Sequence, residues 1–380
     1  MRIGLDGYPL SEPLTGIGHY TLDLARALAR NFPRDEFELV SPKPFHPAAS
    51  GEIQRDSIPN LRFTEAKSSS LRGHWWSVGL PMYARRARFD LFHGTNFEVP
   101  LWKRRRTVLT IHDLSTLLYP ETHRARAVRR ARVRLPIAAK IAGAIVTPTE
   151  AVKQEVCERL KVKPGKVTAI HEAPRRSFSP MTAEETVAIR KRLRVEDEFL
   201  LFVGTLEPRK NLLTTLRAFA EVITRTSARP QLVIAGGEGW LIDETLSFIN
   251  STSLRDRIVL TGYLNDEDLR ALYSSCRAFV YPSLYEGFGL PPLEAMGCGA
   301  PVIASRIAAL QETLAEAAIL VEPLDAQTLS RTIIEVLKDE KRRLAMREAG
   351  IKHAAKFSWD EAARRTHEVY AMSMKSVPSA

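Results

Sequence analysis

Short apolar runs alternate with longer amphipathic stretches along most of this chain. In the first 180 residues, runs rich in β-branched and aromatic side chains read as strands at 2–6, 36–40, 61–64, 91–93, 107–111, 144–147 and 166–171. Stretches with helical spacing lie between them, among them 21–30 and 124–135. The plan repeats more clearly from residue 199. Strands read at 199–203, 231–235, 258–261, 278–281, 301–304 and 318–321, and helices at 211–225, 266–275, 293–296 and 326–338. Strands spaced by amphipathic helices predict parallel sheets wrapped on both faces, a doubly wound α/β architecture. The stretch 172–199 holds Pro174, Pro180 and a charged helical segment near 184–193, and reads as a linker. A last helix, 359–374, follows a break at Phe357-Ser358. The expected domains are therefore 1–174, then 175–356 including the linker, then a terminal helix within 357–380.

Composition narrows the class. The length of 380 residues suits two domains, and 44% hydrophobic with 26% charged residues is ordinary for a soluble globular protein. Cys157, Cys276 and Cys298 are odd in number and widely spaced, which gives neither a metal pattern nor a disulfide framework. The N-terminus runs straight into a strand pattern with no signal peptide, and no apolar run approaches the roughly 20 residues of a membrane span. Together these point to a reducing cytoplasm.

Charge adds a partner class. The net charge is +11, and residues 1–180 carry 30 Lys+Arg against 17 Asp+Glu, so the whole excess lies in the first half. A basic half implies an anionic partner, such as acidic lipid headgroups, a phosphorylated lipid or nucleic acid. The density peaks within 102–140, where Lys103, Arg104, Arg105, Arg106, Arg124, Arg126, Arg129, Arg130, Arg132, Arg134 and Lys140 face only Asp113 and Glu121. On a helix over 124–135, Val128, Ala131 and Leu135 would share a narrow stripe and arginines would cover the rest. Charge runs are usually solvated faces, but this density favours a membrane-facing or phosphate-binding surface, at about 1 kcal/mol per cation near an anionic bilayer. Trp75-Trp76 either joins that surface or sits in the core. No helix-turn-helix, zinc pattern or aromatic-rich RNA signature accompanies the charge, so nucleic acid is not the expected partner.

Six stretches carry candidate chemistry. Glu286-Gly287-Phe288-Gly289-Leu290-Pro291-Pro292-Leu293-Glu294 follows a buried-strand pattern and opens a helix. Its glycines allow close backbone approach, and a helix start favours an anion. Thr15-Gly16-Ile17-Gly18 lies between the first strand and its helix and suits a phosphate, although Thr21 breaks the dinucleotide fingerprint. His112-Asp113 ends a strand. Gly204-Thr205-Leu206-Glu207-Pro208-Arg209-Lys210-Asn211 puts two cations at the start of a helix. Gly262-Tyr263-Leu264 ends another strand. Asp266-Glu267-Asp268 formally matches a metal-binding Asp-x-Asp, but acids at a helix start are favoured by the dipole without any metal. Each stretch also has a plain structural reading, as a glycine turn, a core histidine or a solvated helix start.

The Glu-x7-Glu spacing with Gly-Phe-Gly after the first Glu, together with Gly-x-Leu-x-x-x-Lys upstream, resembles the donor motif of glycosyltransferase family 4. These are retaining nucleotide-sugar enzymes of GT-B fold. The resemblance runs from Gly16 to Glu322 and is closest to bacterial mannosyltransferases of surface-polysaccharide synthesis. It implies two facing Rossmann-like domains, with the final helix crossing back to the first. Glu286 would contact the transferred hexose, Glu294 the ribose, and Lys210 the diphosphate. Gly16, then Gly18, would meet the distal phosphate, and His112 would lie beside the sugar. Gly287, Phe288, Gly289 and Leu290 would line the donor, and Gly262, Tyr263 and Leu264 the base. Family members often carry arginine where this chain has Thr205, which weakens the two-cation clamp unless Arg209 or an arginine of the first domain compensates. Asp113 with Arg126, Arg129 and Arg130 would face the acceptor or membrane. The implied reaction moves a hexose from a nucleotide diphosphate sugar, GDP-mannose first, to a lipid-linked glycan at the inner face of the plasma membrane, with no cofactor and no metal. The alternatives are a GT-B epimerase or phosphorylase, a basic nucleic-acid-binding protein and a non-catalytic scaffold.

Overall fold

A computed structural model describes residues 1–66, 74–100, 106–227, 229–251 and 253–375. Lys103, Arg104 and Arg105 of the basic cluster lie outside the described residues. The chain divides into two compact units, each built on one parallel sheet.

The first unit holds Met1–Leu114, Arg129–Glu172 and the chain from Ser358. Its strands are β1 (Arg2–Asp6), β2 (Glu36–Ser41), β3 (Leu61–Glu65), β4 (Leu91–Gly94), β5 (Thr107–Thr110), β6 (Ala144–Thr147) and β7 (Val167–Ala169), ordered β3-β2-β1-β4-β5-β6-β7. Every pairing is parallel. Helices cover both faces of such a sheet, so its central strands are short and buried throughout rather than alternating between core and solvent. β4 and β5 are buried at every position. The order reverses between β1 and β4, which places a crevice-forming switch point beside the C-terminal ends of those two strands.

The terminal helix, Trp359–Lys375, packs on the helix Gly16–Asn31 of this unit. Trp359 meets Tyr20 edge-on with ring centroids 5.9 Å apart, and His367 stacks on Phe32 at 3.6 Å. A buried polar chain continues inward from the helix. The Tyr370 hydroxyl lies 2.7 Å from His93 Nδ1, His93 Nε2 lies 2.7 Å from Thr110 Oγ1, and Thr110 Oγ1 lies 2.9 Å from the Tyr20 hydroxyl.

The second unit holds Ala173–Phe357, with strands β8 (Phe199–Val203), β9 (Gln231–Ala235), β10 (Ile258–Gly262), β11 (Ala278–Tyr281), β12 (Val302–Ser305) and β13 (Ile319–Val321). Their order is β10-β9-β8-β11-β12-β13, again parallel, with the switch point between β8 and β11. Two apolar clusters sandwich this sheet. One gathers Leu272, Phe279, Met296 and Leu310, and the other Leu216, Phe219, Val280 and Ile333.

The expected first domain, 1–174, is interrupted in the structure. Ser115–Val128 clusters with the second unit because its aromatics dock there. Tyr119 lies 5.3 Å from Tyr285, and Trp240 Nε1 donates to the Thr122 carbonyl at 2.8 Å. The helix expected at 124–135 runs over Ala125–Ile141, passing through Pro136.

His93 makes the first unit acid-sensitive. Burial, reinforced by the neighbouring His112, lowers its pKa from the ordinary 6.5 to about 3. The unfolded chain therefore takes up a proton that the fold refuses, so this stabilising contribution is complete above pH 6.5 and fades as pH falls towards 3. Between pH 6.5 and 5 the buried Asp6 carboxyl, whose pKa burial raises, acts in the opposite direction in any variant that keeps it. Denaturant midpoints of the native protein, measured from pH 6.5 down to 5, should therefore fall relative to those of His93→Gln.

Candidate active site

In the second unit, the loops after β8 and β11 are neighbours because those strands are adjacent at the switch point. Both loops are short and stitched together. The Leu284 N–H donates to the Arg209 carbonyl at 2.9 Å, and Asn211 Nδ2 donates to the Pro282 carbonyl at 2.8 Å. Asn211 adopts a left-handed conformation, φ 57°, which asparagine tolerates better than most residues. Ser305 fixes the second loop from behind, its hydroxyl donating to the Ser283 carbonyl at 2.6 Å.

The stitching brings Lys210 and Glu286 into contact. Lys210 Nζ donates to Glu286 Oε1 at 2.7 Å and to the Tyr281 hydroxyl at 2.7 Å, and the Tyr281 hydroxyl donates to Glu286 Oε1 at 2.9 Å. Arg209 Nη1 lies 3.1 Å from Glu286 Oε2, and Arg209 also pairs with Glu207. All four charged side chains are largely buried. Burial alone would raise the Glu286 carboxyl, but the Lys210 and Arg209 charges outweigh it and hold its pKa at about 2. Burial also pulls the Lys210 ammonium below its ordinary range, with Glu286 acting against that shift. The cluster thus holds two cations and two carboxylates, so the expected cationic clamp is internally neutralised. Thr205 packs against the 236–239 turn: a Cβ on Gly239 would meet its methyl at 3.0 Å. Arg209 is the side chain that reaches Glu286 beside Lys210.

The Gly-Phe-Gly loop divides its labour. Gly289 has φ 93°, and a Cβ there would meet Leu310 Cδ2 at 2.4 Å, so glycine is needed for backbone and packing alike. The Phe288 ring is an anchor, buried and edge-on to Phe357 with centroids 5.8 Å apart, while its carbonyl accepts from Thr313 Oγ1 at 2.8 Å. The side chains of Phe288 and Leu290 therefore belong to the core and its margin. The helix Leu290–Gly297 starts with Pro291 and Pro292 in its first turn, which carry no N–H, so its anion-binding end is poorer in donors than a helix start usually is. The main-chain donors of 287–290 are what this loop can offer a ligand.

Glu294 lies on that helix, away from the Lys210 cluster in its contacts. Arg175 grips both its oxygens, with Nε to Oε1 at 2.7 Å and Nη2 to Oε2 at 3.0 Å, and Nη1 reaches Asp266 at 2.5 Å. The guanidinium lies 4.0 Å over the Phe178 ring. Asp268 pairs with Arg192, and Asn265 caps the helix Asp266–Ser275. The acidic run is thus tied up in ion pairs and helix capping, and the described residues hold no cluster of three His, Cys, Asp or Glu side chains. Gly262 is exposed with φ 69°, Tyr263 stands 58% exposed beside this group, and Leu264 is partly buried against the core.

In the first unit, His112 ends β5 against Tyr20 and Phe97, with ring centroids 4.6 and 5.7 Å away. Nε2 lies 2.8 Å from the Thr95 carbonyl and Nδ1 3.1 Å from Glu172 Oε1. A carbonyl only accepts, so Nε2 carries a proton, and Nδ1 and Glu172 share the next one. Both ring nitrogens are therefore occupied, and the expected hydrogen bond from this ring to a sugar hydroxyl is not on offer. Asp113 is half-buried beside it. Gly16 is exposed and starts the helix itself, with room around it, whereas Gly18 is buried and a Cβ there would press Leu14 at 3.0 Å. Gly18 is thus a packing glycine. Arg126 and Arg129 are exposed, and Arg130 and Arg134 converge on Glu98. Trp75 is core.

Glu172 and Arg175 lie in the stretch read as linker, where no periodic signal marks them. Asp6 is a further buried acid at the β1 end. Its Oδ1 accepts from the Tyr8 N–H while Oδ2 is unpartnered, and burial raises its pKa to about 8.

Lys210→Met should leave Glu286 buried without its main counter-charge. Breaking a buried pair costs about 3–5 kcal/mol. The double variant Lys210→Met/Glu286→Gln should recover part of that loss, as equilibrium denaturation of both variants would reveal.

Family models match both units. Residues 14–173 fit the model for Glycosyltransferase Family 4, and residues 184–353 that for glycosyl transferases group 1. The chain is 30% identical over 388 residues to O-antigen chain mannosyltransferase B of Escherichia coli, covering 97% of this chain and 99% of that protein. It is 33% identical over 280 residues to the serotype-specific mannosyltransferase WbdA of E. coli, spanning 34% of that longer protein. Among solved structures, Anabaena Alr3699/HepE with UDP-glucose superposes with TM-score 0.76 at 18% identity, covering 98% of this chain and 99% of that one. Sucrose-phosphate synthase of Thermosynechococcus elongatus superposes with TM-score 0.77 at 23% identity, covering 98% of each. Two Rossmann-like sheets, both family models and a full-length relative agree, and the chain belongs to the family 4, group 1 glycosyltransferases of GT-B fold.

Proposed function

We propose that this glycosyltransferase moves mannose from GDP-mannose to a hydroxyl of a lipid-linked glycan in surface-polysaccharide synthesis, with the anomeric configuration retained. The observation that carries the donor half is the buried contact of Lys210 and Arg209 with Glu286. The full-length relative's name supports mannose as the sugar.

In this reading, the donor diphosphate takes over Lys210 and Arg209, and Glu286 turns its freed oxygens to the hexose hydroxyls. The cations and the main-chain donors of 287–290 then stabilise the negative charge that grows on the leaving diphosphate, in place of a metal. The acceptor oxygen attacks on the face the diphosphate leaves, and a diphosphate oxygen takes its proton. Glu207, Glu286 and Glu294 each lie against a basic partner, which a nucleophile would not. His112, with both nitrogens taken, contributes charge and neighbouring backbone rather than a hydroxyl contact.

The acceptor half draws on the helix Ala125–Ile141. Arg126, Arg129 and Arg132 are exposed on it, and so are Val133 and Ile137, which suits an anionic bilayer surface. No helix among the described residues is long and apolar enough to cross a membrane.

Thermal stabilisation should be largest with GDP and GDP-mannose; a larger shift with UDP would overturn the base assignment. Glu286→Ala should lower the melting temperature, because it leaves Lys210 and Arg209 buried without their shared counter-charge, and should cut transfer by about a hundredfold or more at temperatures where the variant is still folded. EDTA should leave the rate unchanged, and an absolute requirement for Mg2+ or Mn2+ would remove the cation-only account.

A further inference from the structure

A cavity of about 530 Å3 opens in the second unit among residues that the donor chemistry does not use. Asp197, just before β8, and Arg277, just before β11, both line it, so it borders the N-terminal ends of those strands. Lys210 and Glu286 follow the C-terminal ends of the same two strands. β8 has five residues and so spans about 16 Å, which keeps the two places apart. Three guanidinium groups line the cavity, those of Arg190, Arg277 and Arg347. They come from separate elements: the helix Ala183–Leu193, the turn before β11 and the helix Glu340–Ala354.

Their partners within the fold leave much of this donor capacity unengaged. Arg190 Nη1 donates to Asp197, and Arg277 donates through Nε and Nη2 to Glu198. Those carboxylates are 85% and 51% exposed, so each is a weak, solvent-screened anchor. Arg190 Nε is buried and has no hydrogen-bond partner among the described residues. Arg347 makes no hydrogen bond or ion pair among the described residues. Its position is nevertheless fixed: a Cβ on Gly299 would meet Arg347 Cζ at 2.8 Å, so the guanidinium is seated against that glycine. Each guanidinium offers five N–H donors and no acceptor. Like charges and unsatisfied donors gathered around one space are costly unless an acceptor enters it. A phosphate monoester answers all three groups, with three acceptor oxygens and close to two negative charges, and guanidiniums pair with it fork to fork.

We propose that this cavity is a second anion site, which binds a phosphate monoester through Arg190, Arg277 and Arg347, separately from the donor diphosphate. Its volume exceeds that of the phosphate itself, so the esterified part fits beside the anion, where Met181 and Val187 give it an apolar wall. Two sources present this chemistry, a soluble phosphate ester and the headgroup of a phosphatidate lipid. The proposal does not depend on which sugar or base the donor carries.

The test is calorimetry on the full chain carrying one equivalent of the nucleoside diphosphate that stabilises it most. Glycerol 3-phosphate should then bind at one further site per chain. Arg277→Gln and Arg347→Gln should each weaken that binding by about tenfold or more, as losing a hydrogen bond to a charged group implies. Neither substitution touches the Lys210–Glu286 cluster, so nucleotide affinity should be unchanged, which also verifies that each variant is folded. Flotation with phosphatidylcholine vesicles, with and without phosphatidic acid, identifies the source. If glycerol 3-phosphate does not bind but phosphatidic acid adds vesicle binding that both substitutions weaken, the site takes the lipid headgroup and the proposal stands in that form. Glycerol 3-phosphate binding that survives both substitutions overturns the proposal, because the anion then sits elsewhere. So does the lack of any further site for glycerol 3-phosphate together with vesicle binding that neither substitution weakens.

Discussion

The second unit depends on a buried pair formed where the strand order of its sheet reverses. β8 and β11 are adjacent although two other strands, β9 and β10, lie between them in sequence, so the loops that follow them must meet. Lys210 comes from one loop and Glu286 from the other, and neither can be buried alone at acceptable cost. Asn211, Leu284 and Ser305 hold the backbone so that the two charges meet at hydrogen-bond distance. The glycine-rich turn at 236–239 serves the same end. A Cβ on Gly236 would strike the Gly204 carbonyl at 2.0 Å, so the turn is close-packed on the β8 loop rather than a separate flap.

Much of this was legible in sequence, because strands of buried parallel sheets are apolar throughout and helices between them are amphipathic. The thirteen strands lie where the apolar runs place them, and the family motif located Lys210, Glu286 and Glu294. What the pattern could not convey was partnership. Nothing in the spacing of Glu172 or Arg175 distinguishes them from solvated linker charges, yet both are long-range partners, Arg175 bridging 119 residues to Glu294. Nor does a motif report that its histidine has no free nitrogen, since that depends on Thr95 and Glu172, which only the folded sheet brings near. The placement of 115–128 was missed for a similar reason. Its aromatic residues look like generic core until Tyr285 and Trp240 are there to receive them.

Each unit secures its site residue in the same way, with a partner taken from a stretch that looks like connection. Glu172 closes the first unit's contribution before the chain leaves it, and Arg175 opens the second's three residues later. The returning crossover repeats the arrangement in aromatic form. Phe357 packs on Phe288 of the Glu286 loop within the second unit, and Trp359 packs on Tyr20, which faces His112, within the first. Substitutions in these short connections would therefore reach the site residues through one intervening contact. That separates them from ordinary linkers, where composition matters more than identity.

Charge balance links the fold to its chemistry. A site built to hold a diphosphate would be expected to carry surplus positive charge, yet Arg209 and Lys210 are matched by Glu207 and Glu286. Free cations at this depth would be costly to bury, so the ligand-free fold needs the carboxylates as temporary counter-ions. Under the proposed function, an anionic ligand that provided that counter-charge would make Glu286 the surplus group. Glu294 has no such freedom, because Arg175 occupies both its oxygens and is itself pinned by Asp266 and Phe178. The two glutamates of one motif thus sit in opposite physical settings, one shared among Lys210, Arg209 and Tyr281 and the other held by a single pinned arginine.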